Sequence, residues 1–291
     1  MKLARIAMRP DHLGVITDDG VLDVTAIGHA VGYREVPTWT TALRAWSETR
    51  ELVSQIVALG GPLIESFEAA VPILTSAKLL CVGLNYRRHA LESGARMPDT
   101  PVIFSKLPNT LCVSNTPVVL PAIGREYDYE VELGVVIGEP VRRPIDPSQA
   151  NRHIFGYLTA NDLSARDLQR QSSQWLLGKS LDGFLPLAPW VTTSDSVAQP
   201  GNLRLRTWVN GVLRQDASTA DMIFSVDHVI AYLSDHMTLE PGDLIITGTP
   251  EGVVLGMDEP RPWLRPGDIV EVEVEGLGRV ITPLIGPKAR Q

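Results

Sequence analysis

The chain is poor in the features that mark secreted, membrane-bound or nucleic-acid-binding proteins. Only two cysteines, Cys81 and Cys112, occur in 291 residues, both inside apolar stretches (LLCVGL and TLCVSN), and no Cys-x-x-Cys pair is present. A disulfide framework needs more of them, so two buried free thiols are expected. No apolar run approaches membrane-spanning length, and MKLARIAMRPDH lacks the apolar centre of a signal peptide. Positive charge is not in excess: 26 Lys and Arg against 34 Asp and Glu leave a formal net charge of −8. That balance argues against a nucleic-acid backbone or an anionic membrane as the main partner, while allowing a local basic pocket for a small anion. The string GTP in ITGTPEG is no phosphate loop, because the Gly-x4-Gly-Lys-Ser/Thr pattern is missing. These absences lead to the expectation of a soluble, reduced, cytoplasmic protein.

What the chain does contain is 44% hydrophobic residues, enough for one large core and a smaller domain. LGVITDDGVLDVTAI places Asp-Asp-Gly between two alternating apolar runs and predicts a hairpin near the N-terminus. Helical spacing follows through Leu43, Trp46, Val53, Ile56 and Val57, which predicts one helix from Trp39 to Leu59, stopped by Gly60-Gly61. AVPILTSAKLL reads as a linker. The expected division is therefore a small α/β N-terminal domain over 1–75 and a main domain over 76–291.

From there LLCVGL, PVIFSK, YEVELGVVIG, RLRTWVNG, DLIITGTP and DIVEVEVEG read as strands. Two are introduced by the same Pro-Gly-Asp turn signal (LEPGDLIIT and LRPGDIVEVEV). The clearest helix runs from Ser225 to His236, with Ser225 as N-cap. Strands dominate, so the fold class expected is mixed α+β, β-rich, with peripheral helices.

Two strands alternate glutamate with apolar residues. In DIVEVEVEG, Glu271, Glu273 and Glu275 face one way and Val270, Val272 and Val274 the other. That is an ordinary half-exposed strand, and those glutamates are given no function. In YDYEVELGVVIG, Glu130 and Glu132 share a face that continues through Gly134, Val136 and Gly138, and the opposite face is apolar throughout. Two carboxylates in a partly buried place repel each other and lose hydration, at a cost of several kcal/mol unless a cation or donors compensate. One reading supplies a divalent cation, since oxygen-only ligands suit Mg²⁺, Mn²⁺ or Ca²⁺. The other puts the pair at an exposed strand end beside arginines such as Arg125. GYLTANDLSARDLQ offers Asp162 and Asp167 as further carboxylates, with Asn161 and Ser164 able to cap a following helix. Taken alone, capping is the simpler role for this segment.

Taken together the blocks VGLNYRRHALESG, PVIFSK, DYEVELGVVIG, GYLTANDLSARDLQ, QWLLGKSLDGFLPLAPW, VNGVLRQDASTADMIFSV and ITGTPEGVV, in this order over roughly residues 77–285, resemble the fumarylacetoacetate hydrolase family. The likeness is to its bacterial acylpyruvase-like branch, with 2-hydroxyhepta-2,4-diene-1,7-dioate isomerases and 5-carboxymethyl-2-oxo-hex-3-ene-1,7-dioate decarboxylases as relatives. The resemblance implies a fumarylacetoacetase C-terminal-type fold, a mixed β-sheet roll or barrel with peripheral helices. It implies Mg²⁺ or Mn²⁺, with Ca²⁺ as a substitute, held by Glu130, Glu132 and Asp162, while Asp167 keeps its structural reading. The family's His-x-x-Glu dyad falls on His89 and Glu92, and its active-site lysine on Lys179, for stabilising an oxyanion or enolate. Arg166, Gln174 and Thr249 match substrate-holding positions. His153, His228 and His236 are left with surface or structural roles.

The implied reaction is metal-dependent hydrolysis of the C–C bond of a 2,4-dioxo acid, such as an acylpyruvate, in aromatic or sugar acid catabolism. Water activated by His89 attacks the distal carbonyl and a pyruvate-type enolate leaves. The same site suits a decarboxylase of oxaloacetate type, or an isomerase, tautomerase or dehydratase of unsaturated or sugar-derived 2-oxo acids. A non-catalytic metal-stabilised scaffold is the contrasting reading, and it is disfavoured because every motif with chemical content is intact. A two-metal phosphohydrolase is set aside for want of His/Asp clusters. The expected partners are a small anionic 2-oxo acid and a second copy of the chain in a homodimer, with no nucleic acid and no membrane. The segment 87–100 (RRHALESGARMPDT) is expected to cover the site, with Arg87, Arg88 and Arg96 as solvated arginines or readers of a distal group.

Overall fold

In the computed structural model, which describes residues 1–92 and 94–287, the two most apolar strands lie side by side at the centre. Val131–Ile137 pairs antiparallel with Ile154–Asn161, from Val131 opposite Asn161 to Ile137 opposite Ile154. Every residue of both strands is buried. This explains why neither face of YEVELGVVIG reads as a solvent face: the strand is covered on both sides. The main sheet runs, in spatial order, Gly20–Asp23, Arg9–Thr17, Lys2–Ile6, Val191–Thr193, Ile154–Asn161, Val131–Ile137, Leu244–Ile246, Leu79–Gly83 and Val102–Lys106, with three short strands branching from this path. Parallel and antiparallel pairs are mixed, Leu244–Ile246 lying parallel to Leu79–Gly83.

A second sheet sets Ile269–Val274 between Arg204–Val209 and Arg279–Ile285. Here burial alternates residue by residue, as expected of a sheet with one wet face. Thr159 ties the sheets together: its hydroxyl donates to the Gly278 carbonyl at 2.7 Å and accepts from the Val274 N–H at 3.1 Å. The fold is mixed α+β and dominated by its sheets.

The N-terminal segment is not a separate layer. Lys2 and Leu3 register with Thr192 and Val191, so the main sheet passes without a break from residues 1–75 into the rest of the chain. Trp39 and Trp46 each meet Phe155 edge-on, at centroid distances of 6.1 and 6.0 Å, which seats the N-terminal helices on the central strand. The hairpin at Asp18-Asp19-Gly20 forms, Thr17 facing Gly20. The single helix predicted from Trp39 to Leu59 is two, Trp39–Arg44 and Trp46–Leu59, because Ala45 leaves the helical region (φ −149°, ψ 52°). Apolar spacing runs through that break unchanged, so periodicity does not reveal it.

Local turn chemistry works as the sequence suggests. Gly242 and Gly267 take φ of +94° and +101°, and Asp243 and Asp268 each accept a backbone N–H from three residues earlier at 2.7 Å. Ser225 caps the helix Val226–Ser234 by accepting from the His228 N–H. Cys81 and Cys112 are buried free thiols; burial, with the Asp162 carboxylate adding to it, holds the Cys81 thiol far above its ordinary pKa. Among the described residues no helix is long and apolar enough to cross a membrane.

Candidate active site

The central strand pair builds the floor of the site. Val131 faces Asn161 across the ladder, which puts Glu130 and Asp162 next to each other just beyond it, joined by the Asp162 N–H and the Glu130 carbonyl at 2.9 Å. Glu132 follows two residues on, so its side chain leaves the same face as that of Glu130. One carboxylate oxygen from each of Glu130, Glu132 and Asp162 lies within 4.8 Å of the others, and the three residues are 5%, 1% and 0% exposed.

Their compensation is unequal. Lys179 Nζ stands 2.6 Å from Glu130 Oε2 and 2.7 Å from Asp162 Oδ2. Lys106 Nζ takes the other Asp162 oxygen at 2.5 Å and the Leu163 carbonyl at 3.1 Å. Arg166 lies 2.6 Å from Glu130 Oε1 through one terminal nitrogen, which is off the line of its N–H. Glu132, by contrast, accepts one hydrogen bond, from the Gly248 N–H at 2.7 Å, and has no ion-pair partner among the described residues. Burial pushes the Glu132 carboxyl well above the usual range, with Asp162 and Glu130 pushing the same way. Burial also pushes Glu130 upward, but Lys179 and Arg166 outweigh it and hold that carboxyl low. Burial lowers Lys106, only partly offset by Asp162, whereas Asp162 and Glu130 overcome burial at Lys179 and raise it. A cluster of oxygen donors with one buried carboxylate left uncompensated is a fit for a hard divalent cation such as Mg²⁺ or Mn²⁺.

Gly248 must be glycine for this floor to exist. Its φ is +94°, and a Cβ there would sit 2.9 Å from the Val82 carbonyl oxygen.

One wall comes from the short helix Arg87–Glu92. His89 Nδ1 is 3.1 Å from Glu92 Oε1, and the Glu92 carboxylate accepts the Gly252 N–H at 3.0 Å. The glutamate is thus held on its far side and orients the imidazole from behind. Between this wall and the floor lies a cavity of about 380 Å³ that His89, Glu130, Glu132, Arg166, Lys179 and Thr249 all line. Its apolar lining includes Phe104 and Trp175, whose rings meet at 5.3 Å.

Of the residues singled out in the sequence, His89, Glu130, Glu132, Arg166, Lys179 and Thr249 reach the cavity, Asp162 lies beneath it and Glu92 behind His89. Gln174 does not line it: that residue is exposed and its backbone is bonded to Ser172. Gln169 and Trp175 occupy the wall instead. Asn161 and Ser164, expected as caps, serve otherwise, and Asp167 has a structural contact. Asn161 accepts the Glu130 N–H through its side chain, Ser164 donates to the Asp162 carbonyl, and Asp167 accepts the Arg125 N–H. Within 87–100, Arg87 donates to the Met222 carbonyl, Arg88 pairs with Glu251 and Arg96 with Asp99, so none of the three lines the cavity; Ser93 lies outside the described residues.

Sequence reasoning missed Lys106, Asp128, Gln169 and Arg170. A signal existed for Asp128, which stands two residues before Glu130 in the same alternation. Its buried carboxylate accepts from Val254 N at 2.8 Å, Leu255 N at 3.1 Å and Arg166 Nε at 2.9 Å, joining the guanidinium to the turn that packs against Glu92. Lys106 had a weaker signal, a lone cation closing the apolar strand PVIFS.

The central strands of the mixed sheet thus carry a buried carboxylate triad beneath a small cavity lined by both charged and apolar side chains, an arrangement suited to an enzyme acting on small molecules. Residues 78–285 match the fumarylacetoacetate hydrolase C-terminal family, and the chain belongs to that family. It is 38% identical over 280 residues to a human mitochondrial oxaloacetate tautomerase, covering 94% of this chain and 87% of that protein. Among solved structures, an HpcE protein from Mycobacterium smegmatis superposes with a TM-score of 0.86 at 34% identity, over 99% of this chain and 100% of the other. Maleylpyruvate hydrolase from Sphingobium sp. SYK-6 gives 0.81 at 29% identity, again over 99% and 100%.

Proposed function

We propose that this enzyme enolises a small 2-oxo acid, moving a proton at the carbon beside the 2-oxo group with His89 as the base. The observation that carries the reading is the opposition across one cavity of the His89–Glu92 pair and the carboxylates of Glu130, Glu132 and Asp162. Those three carboxylates would hold a divalent cation, which as a Lewis acid draws electron density from the 2-oxo oxygen and makes the adjacent C–H acidic. Glu92, bonded to His89 Nδ1, fixes the tautomer so that Nε2 is the basic atom, and steadies the imidazolium until it gives the proton up again, to the enolate oxygen in one direction and to the carbon in the other. Lys179 keeps its proton, because Asp162 and Glu130 raise it, and supplies positive charge beside the developing enolate oxygen. Phe104 and Trp175 exclude water from that charge. The likeness to an oxaloacetate tautomerase puts keto–enol interconversion of an oxaloacetate-type acid first.

Hydrolysis of a 2,4-dioxo acid is the second reading, supported by the same dyad and by the likeness to maleylpyruvate hydrolase. In it His89 takes its proton from water, and Lys179 faces the pyruvate enolate that leaves. The two are separated by incubating the Mg²⁺- or Mn²⁺-loaded protein with oxaloacetate, following ketonisation by ultraviolet absorbance, and with acylpyruvates, following loss of the diketone. His89→Ala is expected to lower the favoured activity by about 10²- to 10⁴-fold, while calorimetric Mg²⁺ titration still reports binding. Full activity in that variant would remove His89 from the mechanism and with it this reading.

A further inference from the structure

The cations that line or underlie the cavity fall into two kinds. Lys106, Lys179 and Arg166 are 2–3% exposed, and each is engaged by a carboxylate of the floor or by Asp128. Their charge is used inside the protein. Arg170 is different. It lines the same cavity, its side chain is 52% exposed, and its ion-pair partner is Glu126, a residue that does not line the cavity and is itself 30% exposed. An ion pair that wet is weak and exchangeable.

Arg166 and Arg170 are four residues apart, the second closing the short helix Arg166–Gln169 with helical dihedrals. Side chains at that spacing leave one face of a helix about 5–6 Å apart, and both arginines line the same cavity. Gln169 lines the same wall, and its Oε1 accepts from Arg166 at 3.0 Å, which leaves its amide NH₂ as the donor end of the side chain.

We propose that Arg170, with the Gln169 amide, reads a second carboxylate on the substrate, and that Glu126 is the competitor this carboxylate displaces. Arg170 is then the residue that sets the preference for a second carboxylate among the 2-oxo acids already favoured: the 2-oxo acid end lies on the floor and the distal carboxylate at the rim. This rests on the 2-oxo acid reading of the floor. Exchange of one carboxylate for another at Arg170 leaves the charge count of the rim pair unchanged when Glu126 turns to solvent. A planar guanidinium matches a carboxylate through two parallel N–H groups, so the gain over a solvated Arg–Glu pair is geometric.

The test compares a diacid, oxaloacetate, with a monoacid of similar length, acetylpyruvate, on the Mg²⁺-loaded full chain. Arg170→Met keeps the stem and removes the charge; it should lower the ratio of kcat/KM for the diacid to that for the monoacid roughly tenfold, through KM. Glu126→Gln removes the competitor and should raise the same ratio, and in the wild-type protein the diacid KM should climb with ionic strength more steeply than the monoacid KM. Equal changes for both acids in Arg170→Met, or a fall of the ratio in Glu126→Gln, would overturn the role of Arg170 while leaving the floor intact. If the wild-type protein turns over neither acid, the reading of the floor fails and the role of Arg170 falls with it, an outcome distinct from the first.

Discussion

Two strands of this chain carry glutamate at alternate positions and put it to opposite use. On Ile269–Val274, Glu271 and Glu273 point to the wet face of the second sheet, where Arg279 holds them at 3.0 and 2.9 Å. Arg279 in turn lies over the Trp208 ring at 4.6 Å. These contacts are half exposed and screened, and each is worth little. On the central strand, Glu130 and Glu132 leave a face that is buried along its whole length, and their partners are a lysine, an arginine and a backbone N–H that are themselves buried. The pattern is the same in both strands; the difference is what lies over the face. A charge stays inside a protein only when the surroundings compensate it, so a buried Glu-x-Glu pair marks a place where charge is wanted.

The sharpest way to break the contrast is to neutralise both pairs in parallel. Glu130→Gln or Glu132→Gln should lower metal-dependent turnover by on the order of 10³-fold or more, because several kcal/mol of Lewis-acid stabilisation is at stake; calorimetry should show weakened Mg²⁺ binding. Next in size is Lys106→Met. It leaves Asp162 Oδ1 buried without its cation, and thermal or urea unfolding should report a loss of about 3 kcal/mol. Gly248→Ala should cost about 2 kcal/mol, since it combines a left-handed backbone with a clash against the Val82 carbonyl. It should also weaken Mg²⁺ binding, because the N–H that holds Glu132 must move. At the small end, Glu271→Gln and Glu273→Gln should leave turnover within about twofold and stability within roughly 0.5 kcal/mol. A large effect on turnover there would erase the distinction between the two strands.

Much of this was legible before any fold was known, and for a common reason. The hairpin at Gly20, the paired Pro-Gly-Asp turns and the Ser225 cap are decided by contacts within a few residues, so composition and spacing carry them. The break at Ala45 is a single change of dihedral inside an unbroken apolar period, and periodicity is blind to it. Site residues divide in the same way. Glu130 and Glu132 stand out because their face turns apolar at Gly134, Val136 and Gly138, a pattern that still allows an exposed strand end. Arg170 looks like any solvated arginine until its place on the cavity is seen, and Gln174, matched to a substrate-holding position, is exposed while Gln169 and Trp175 line the wall. Arg87, Arg88 and Arg96 sit in a segment rich in charge, yet none lines the cavity: Arg87 and Arg88 find partners on distant loops and Arg96 pairs with Asp99 three residues on.

By itself the sequence determined the strands, their alternation, the tight turns and the residues able to ligate a hard cation. These depend on the backbone's period and on side-chain chemistry, both of which are local. The tertiary structure alone decided that Lys2–Ile6 pairs with Val191–Thr193 and that Lys106 reaches Asp162 across 56 residues. It alone decided too that one alternating strand is roofed and the other wet. Those outcomes depend on which surfaces meet, and the free energy of a buried charge is set by everything packed around it.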